Sequence, residues 1–286
     1  MVKPRNDFST TAADHVKLLE VLDEAKEKAK VTFNIEIDSY VSDHAAAEKK
    51  TGEKSGLIHY GCYSHAGNLY LKDIKNNEIY RDVHEIMVVF RNASLESRLK
   101  EKGGSSIYLA GNTRWKGERD EENCFLKNRN AMKTVIDEFK SQLLPENLKL
   151  LIKSEDFFIK VSKEVEKLSP VCNFIDLSQS DNCTLSMALH HWLKMKPSKE
   201  YNAAWKNRNK MICKLPALIA YSLDPNYKGI LLNKDQTNEV NVAIYSNGKG
   251  ENAYQQLENF RQSKGNLGCQ KALNLSAILF WDLMKN

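Results

Sequence analysis

The sequence of 286 residues predicts an α/β segment followed by a larger all-helical one. Three observations lead there. Strand-like runs, VTFNIEID at 31–38 and LIHYGC at 57–62, fall in the first third only. Helical periodicity takes over past the Gly-containing loop KEKGGSS at 100–106. Pro145, Pro170, Pro197 and Pro216 then fall between the helical pieces or near their ends, where proline is tolerated. The expected units are residues 1–111 and 112–286.

In chain order, residues 13–30 place Leu18, Leu22, Ala25 and Ala29 at helical spacing, with charges elsewhere. The run 31–38 alternates, with Val31, Phe33, Ile35 and Ile37 on one side and Thr32, Asn34, Glu36 and Asp38 on the other. This predicts a half-buried strand that ends on a carboxylate. Residues 39–55 read as polar and irregular, with a short helix around DHAAAEKK. LIHYGC is a second short strand, and AGNLYLKDI a helix for which Ser64 is the candidate N-cap. Ile79, Val83, Ile86 and Phe90 form the apolar stripe of another helix. Helices are expected over 120–142, 146–168, 181–195, 200–222, 234–246 and 250–261.

Composition is ordinary for a soluble globular chain, with 42% apolar and 28% charged residues. No stretch approaches the roughly 20 apolar residues of a membrane span, and the N-terminal MVKPRNDFSTTAADH lacks a signal peptide's apolar region. No membrane partner is expected. Six scattered cysteines (62, 124, 172, 183, 213 and 269) form no CxxC pair, which suits reduced thiols in the cytosol or nucleus. A net charge of +5 permits an anionic partner without demanding one.

Cys62 and His65, three positions apart, allow three readings. A structural zinc site needs four protein ligands, and His59, His84 and Cys124 are isolated. A cysteine nucleophile needs a base and an orienting group, which spacing cannot supply. Otherwise Cys62 is a small buried residue and His65 a hydrogen-bonded group at a helix start, which spacing alone favours.

The surrounding string YGCYSHAGNLYLKDI resembles the Cys-x-x-His block of hAT-family transposases through Gly61, Cys62, His65, Asn68, Leu69, Leu71, Lys72 and Asp73, with Gly67 in place of the usual Leu. Four further blocks follow in the family's order. They are Thr113, Arg114 and Trp115 with Arg129; the Gln-Ser-Asp segment SQSDNCTLSMALHHWLKM; Ala220, Leu223, Asp224, Pro225, Tyr227, Lys228 and Gly229; and LSAILFWDLMKN with Trp281. The resemblance spans about residues 15–286. It implies a partial RNase H-like core followed by a helical insertion domain, truncated at both ends, in a nuclear protein. It also implies that Cys62 and His65 lie beside the active site and serve DNA handling.

Transposases of this family cut DNA with Asp, Asp and Glu around two Mg²⁺ ions. By the resemblance Asp38 matches the second Asp, with Ser39-Tyr40-Val41-Ser42-Asp43 in place of the usual Asn-containing run. The other two carboxylates have no counterpart, so Asp38 is a metal ligand only if the triad is completed elsewhere. The expectation is no cofactor in this chain, no DNA cutting, and only two of the five RNase H strands. Trp115 stands where the family's Trp stabilises a flipped base, and Arg114 where it can meet a phosphate; Trp115 as a core aromatic is the alternative. The segment 194–214 holds Lys194, Lys196, Lys199, Lys206, Arg208, Lys210 and Lys214 against Glu200 alone, with Tyr201 and Trp205 interleaved. It reads as a nucleic-acid surface or as a solvated helix face. Lys206, Arg208 and Lys210 are its candidate contacts, while His190 and His191 read as packing residues. The functional expectation is a transposase-like fragment, inactive as a nuclease, that retains DNA binding or dimerisation. The alternative is a helical protein-interaction module with no nucleic-acid role.

Overall fold

The structure, a computed structural model, describes residues 15–43, 46–111, 116–138, 144–247 and 250–264. It is mostly helical with one small parallel sheet of two strands. The first helix, α1 (His15–Phe33), extends into the stretch expected to be a strand. Alternation at 31–38 gained no burial: Val31 is 80% exposed, Phe33 67% and Ile35 56%. With nothing among the described residues covering that face, the intrahelical ladder prevails. Asn34 stops the helix at φ 54, a left-handed conformation that Asn tolerates, and its N–H bonds the Lys30 carbonyl at 3.0 Å.

Strand β1 (Ser39–Ser42) therefore begins after Asp38 rather than ending on it. Helix α2 (Ala46–Lys54) leads to β2 (Ile58–Gly61), which pairs in parallel with β1 from Ser39↔Ile58 to Ser42↔Gly61. Two strands alone are marginal. Tyr40 stacks on His59 at 4.7 Å, and the Ser42 hydroxyl meets His59 Nε2 at 2.7 Å, tying the pair together.

Helix α3 (Tyr63–Ile74) follows directly. Ser64 does not cap it; the residue is buried and its hydroxyl meets that of Ser178 at 2.9 Å. Gly67 faces a close approach to a later helix. An added Cβ would come within 2.9 Å of Ile175 and 3.0 Å of Phe174, so a Leu there would force the helices apart. Helix α4 (Asn77–Phe90) is capped by the Asn76 side chain and buries Val83, Ile86 and Phe90 as expected. An unanticipated helix, α5 (Ala93–Glu101), is capped by Asn92.

Helices α6 (Gly117–Glu138), α7 (Glu146–Lys153) and α8 (Glu155–Ser178) complete the middle of the chain. The single helix expected over 146–168 is split at Ser154, whose hydroxyl accepts from the Phe157 N–H at 3.1 Å. Buried Arg129 seals the split. It donates to the carbonyls of Ile152 at 3.0 Å and Ser154 at 2.9 Å, and forks onto the Glu155 carboxylate. The Ile152 carbonyl is one that the end of α7 leaves without a helical partner, whereas the Ser154 carbonyl also accepts from the Phe158 N–H at 3.2 Å as α8 begins. Arg129 and Lys133 hold the Glu155 carboxyl down to about 2.

Pro170 lies inside α8, not at its end. It has no N–H for the Glu166 carbonyl, and the Ser169 hydroxyl turns back to the Val165 carbonyl at 2.6 Å. Then come α9 (Leu185–Lys194), a 3₁₀ turn (Lys199–Tyr201), α10 (Asn202–Ile212), α11 (Leu215–Leu223), α12 (Lys234–Asn247) and α13 (Glu251–Arg261). Pro216 divides the helix expected over 200–222 by opening α11, where a missing N–H costs nothing.

Two apolar clusters hold the helices together. One joins α3 to the C-terminal half of α8 and to α9, α11 and later residues, around Tyr70, Phe174, Trp192 and Tyr221. The other joins α4, α5, α6 and α7 to the start of α8, around Phe90, Phe125, Met132 and Phe157. Both draw on residues on either side of residue 111, and α8 belongs to both. Among the described residues no helix is long and apolar enough to cross a membrane.

Candidate functional site

Asp38 and the Cys62–His65 pair lie at opposite ends of the strand pair. Asp38 precedes β1, and its carbonyl accepts from the Ile58 N–H at 2.9 Å where β2 begins. Cys62 follows β2, and its N–H reaches the carbonyl of Ser42, the last residue of β1. The four strand residues between them make five residue steps, roughly 16 Å. The acid nearest the pair along β1 is Asp43, the residue after Ser42, not Asp38. Cys62 sits at the cap position of α3 with a free thiol and makes no side-chain cap bond. Among the described residues no group of three or more His, Cys, Asp or Glu is placed to hold a metal ion.

The basic segment divides in two. Arg208 is already engaged: its guanidinium grips Asp73, the last residue of the Cys-x-x-His block, at 2.8 and 3.0 Å. That bidentate pair fastens α10 to α3, so Arg208 acts in packing. Lys206 and Lys210, on the same helix, are exposed and form no ion pair among the described residues. Arg114 and Trp115 lie outside the described residues, as does Trp281.

Between α8 and the α9–α10 connection lies a cleft of about 750 Å³. Tyr70 from α3, Phe174 from α8, Tyr201 from the 3₁₀ turn and Trp205 from α10 supply its aromatic walls. A ring stack fixes one wall. Trp205 lies on the buried Trp192 at 4.2 Å and 10°, and Tyr70 meets both indoles edge-on at 5.7 and 5.4 Å. Trp192 is locked in turn by its indole N–H, which donates to Asn209 Oδ1 at 3.0 Å.

Charge at the cleft is mainly positive. Lys194 and Lys196 are exposed at the rim and make no ion pair among the described residues. Lys167 pairs with Glu164 at 2.7 Å and lies 5.2 Å above the Tyr201 ring, which holds that ring in place. Among the described residues Glu166 is the one carboxylate in the lining. Flat apolar walls below exposed ammonium groups suit a planar ring that carries an anionic tail.

Two histidines expected to pack behave differently. His190 does pack, with Nδ1 2.9 Å from the Tyr221 hydroxyl and its ring stacked on Tyr227 at 4.4 Å; burial holds its pKa below the ordinary value. His191 is exposed and lines the cleft. The Leu-Asp-Pro-x-Tyr block is structural. Buried Asp224 accepts from the Ser186 hydroxyl at 2.5 Å and from the Asn226 N–H at 2.9 Å, clasping α9 to the end of α11.

One feature was not read from the sequence: a row of buried acids on α6 and α8. Glu121 is satisfied by His84 at 2.8 Å and the Ala110 N–H at 2.8 Å, and Glu164 by the Asn76 N–H at 2.7 Å. Glu122 is 1% exposed, and its Oε2 has no hydrogen-bond partner among the described residues. Burial first, then the nearby Glu164, push its carboxyl up to about 8. Three acids at spacing 118, 121 and 122 on one helix face were the available signal.

Compared with known proteins, the chain matches no family model and no curated protein.

Proposed function

We propose that the chain is a hAT transposase-like protein of the nucleus that binds DNA without cutting it, its first helices and strand pair being a partial RNase H-like unit. The observation that carries this reading is a set of exposed lysines, Lys194 and Lys196 on the rim of an aromatic cleft and Lys206 and Lys210 on α10. Phosphates attract such cations independently of sequence and release counterions on binding. Asp38, roughly 16 Å along the strands from the Cys62–His65 end, gives no support to a cutting site there. The contacts proposed are Lys194, Lys196, Lys206 and Lys210, with Arg114 and Trp115 added by the family resemblance. Arg208 is left out because Asp73 holds it.

A second reading, a helical module that recognises a protein partner or a second copy of itself, draws support from the exposed apolar side chains Val31, Phe33, Ile35, Val41 and Ile58. Fluorescence anisotropy with a labelled duplex at about 50 and 200 mM salt separates the two. The DNA-binding reading expects affinity to fall steeply with salt, and the Lys206→Gln/Lys210→Gln variant to lower the logarithmic salt slope by about 2. Undetectable duplex binding at the lower salt, with a stable homodimer in its place, supports the second reading.

A further inference from the structure

We infer that the cleft between α8 and α10 receives an unpaired nucleobase, with the flanking phosphates on Lys194 and Lys196, so that its ligand is single-stranded DNA. This rests on the DNA-binding reading and goes beyond it by naming the site and the strand state.

The argument is geometric. At about 750 Å³ the cleft is small, of the size that suits one or two nucleotides, and it is concave. A duplex keeps its bases stacked inside and can offer only backbone to such a hollow. A single strand can turn a base into it. Of the four rings, Tyr201 and Trp205 keep accessible surface while Tyr70 and Phe174 are 4% and 2% exposed, and every base has a face to stack on such a ring, which gives affinity with little sequence preference. Tyr201 is held from one side by Lys167, 5.2 Å over its ring, and Trp205 is backed by Trp192 at 4.2 Å, so these surfaces are ordered before a ligand arrives. Lys194 ends α9 and Lys196 lies just beyond it, both exposed on one lip. Successive phosphates of a single strand can meet them while the base points inward. Glu166 and Asn173 complete the rim with acceptors for a base's N–H groups, the ring N3–H of thymine among them. An acidic peptide would meet the Glu166 carboxylate and would gain little from flat ring surfaces.

The experiment uses the full chain and labelled oligothymidylate of about ten nucleotides, read by anisotropy and by quenching of tryptophan emission. An abasic strand of equal length, the matching duplex and a Glu-rich peptide of equal charge serve as comparisons. We expect the oligothymidylate to bind, with Lys194→Gln/Lys196→Gln weakening it about tenfold. Tyr201→Leu should weaken it by about 5-fold to 150-fold, and Tyr201→Phe, which keeps the ring, should restore it to within about twofold. Lys206→Gln/Lys210→Gln should weaken the duplex while changing oligothymidylate binding less than about threefold. Circular dichroism on each variant confirms that the fold persists.

An abasic strand that binds as tightly as oligothymidylate overturns the inference, because no base is then recognised. So does a Glu-rich peptide of equal affinity that is weakened by the same cleft variants. If oligothymidylate binding ignores the cleft variants while the duplex still depends on Lys206 and Lys210, the inference fails and the DNA-binding reading stands. If neither nucleic acid binds, both fail.

Discussion

The stretch from α1 to β2 and the helical body that follows it differ in how they are held. In α1 no residue is buried, and Val31, Phe33, Val41 and Ile58 expose between 48% and 80% of their surface. In the body, Val83, Ile86, Phe125, Trp192 and Tyr221 are all 0% exposed, and polar groups such as Arg129 and Glu121 are buried only with several partners. Apolar content alone therefore does not make a core. It must recur at a spacing that a second surface can meet. The body has α8 running through both clusters as that second surface, whereas α1 meets little besides α2.

The largest test of this contrast lies in the body. Trp192→Ala should cost about 3–5 kcal/mol in urea unfolding, because the cavity would also undo the stack with Trp205 and the tilted contact with Phe174. A loss under about 1 kcal/mol would mean that this cluster is not tightly packed. Arg129→Met should cost about 2–3 kcal/mol, since it leaves the buried Ile152 carbonyl at the α7–α8 junction unpaired and removes the fork onto Glu155.

A smaller effect, of opposite sign, concerns Glu122. Its carboxyl stays protonated in the fold up to about 8 and ionises near 4.5 once the chain unfolds. The folded state thus holds an extra proton between those values, and stability falls as pH rises through that window. Glu122→Gln cannot ionise, so it should flatten this fall and stabilise the protein by on the order of a few kcal/mol at about pH 8 relative to about pH 5. Urea midpoints at the two pH values check it. A parallel fall in wild type and variant would refute the assignment.

The smallest effects belong to the surface. Asp73→Asn should cost about 1 kcal/mol, the value of a half-buried bidentate pair. Phe33→Ser, at an exposed position, should fall within about 0.5 kcal/mol of wild type. A loss of 2 kcal/mol or more at Phe33, under conditions where the chain self-associates, would erase the contrast and show that a partner covers α1.

What the sequence revealed follows the same division. The Ile79–Phe90 stripe predicted α4 because period and burial agree there. Val31 to Ile37 misled because alternation marks a strand only where one face is covered, and here the helix simply ran on to Asn34. Pro170, expected between helical pieces or near an end, lies inside α8, because packing along both apolar clusters outweighs one missing backbone bond. The split at Ser154 went unseen because its cap is completed by Arg129, 25 residues away. Half the cleft was visible as the basic, aromatic stretch around Tyr201 and Trp205. Its other half, Tyr70 and Phe174, comes from helices whose facing surfaces no local pattern discloses. For the same reason Arg208 looked available until Asp73, 135 residues away, appeared beside it.

The most direct test is a salt titration of DNA binding by the full chain from about 50 to 200 mM. The account predicts measurable binding at the low end that drops at least tenfold across the range, with the drop reduced when Lys206 and Lys210 become Gln. Binding that is absent at low salt, or that ignores both salt and those two lysines, would contradict it.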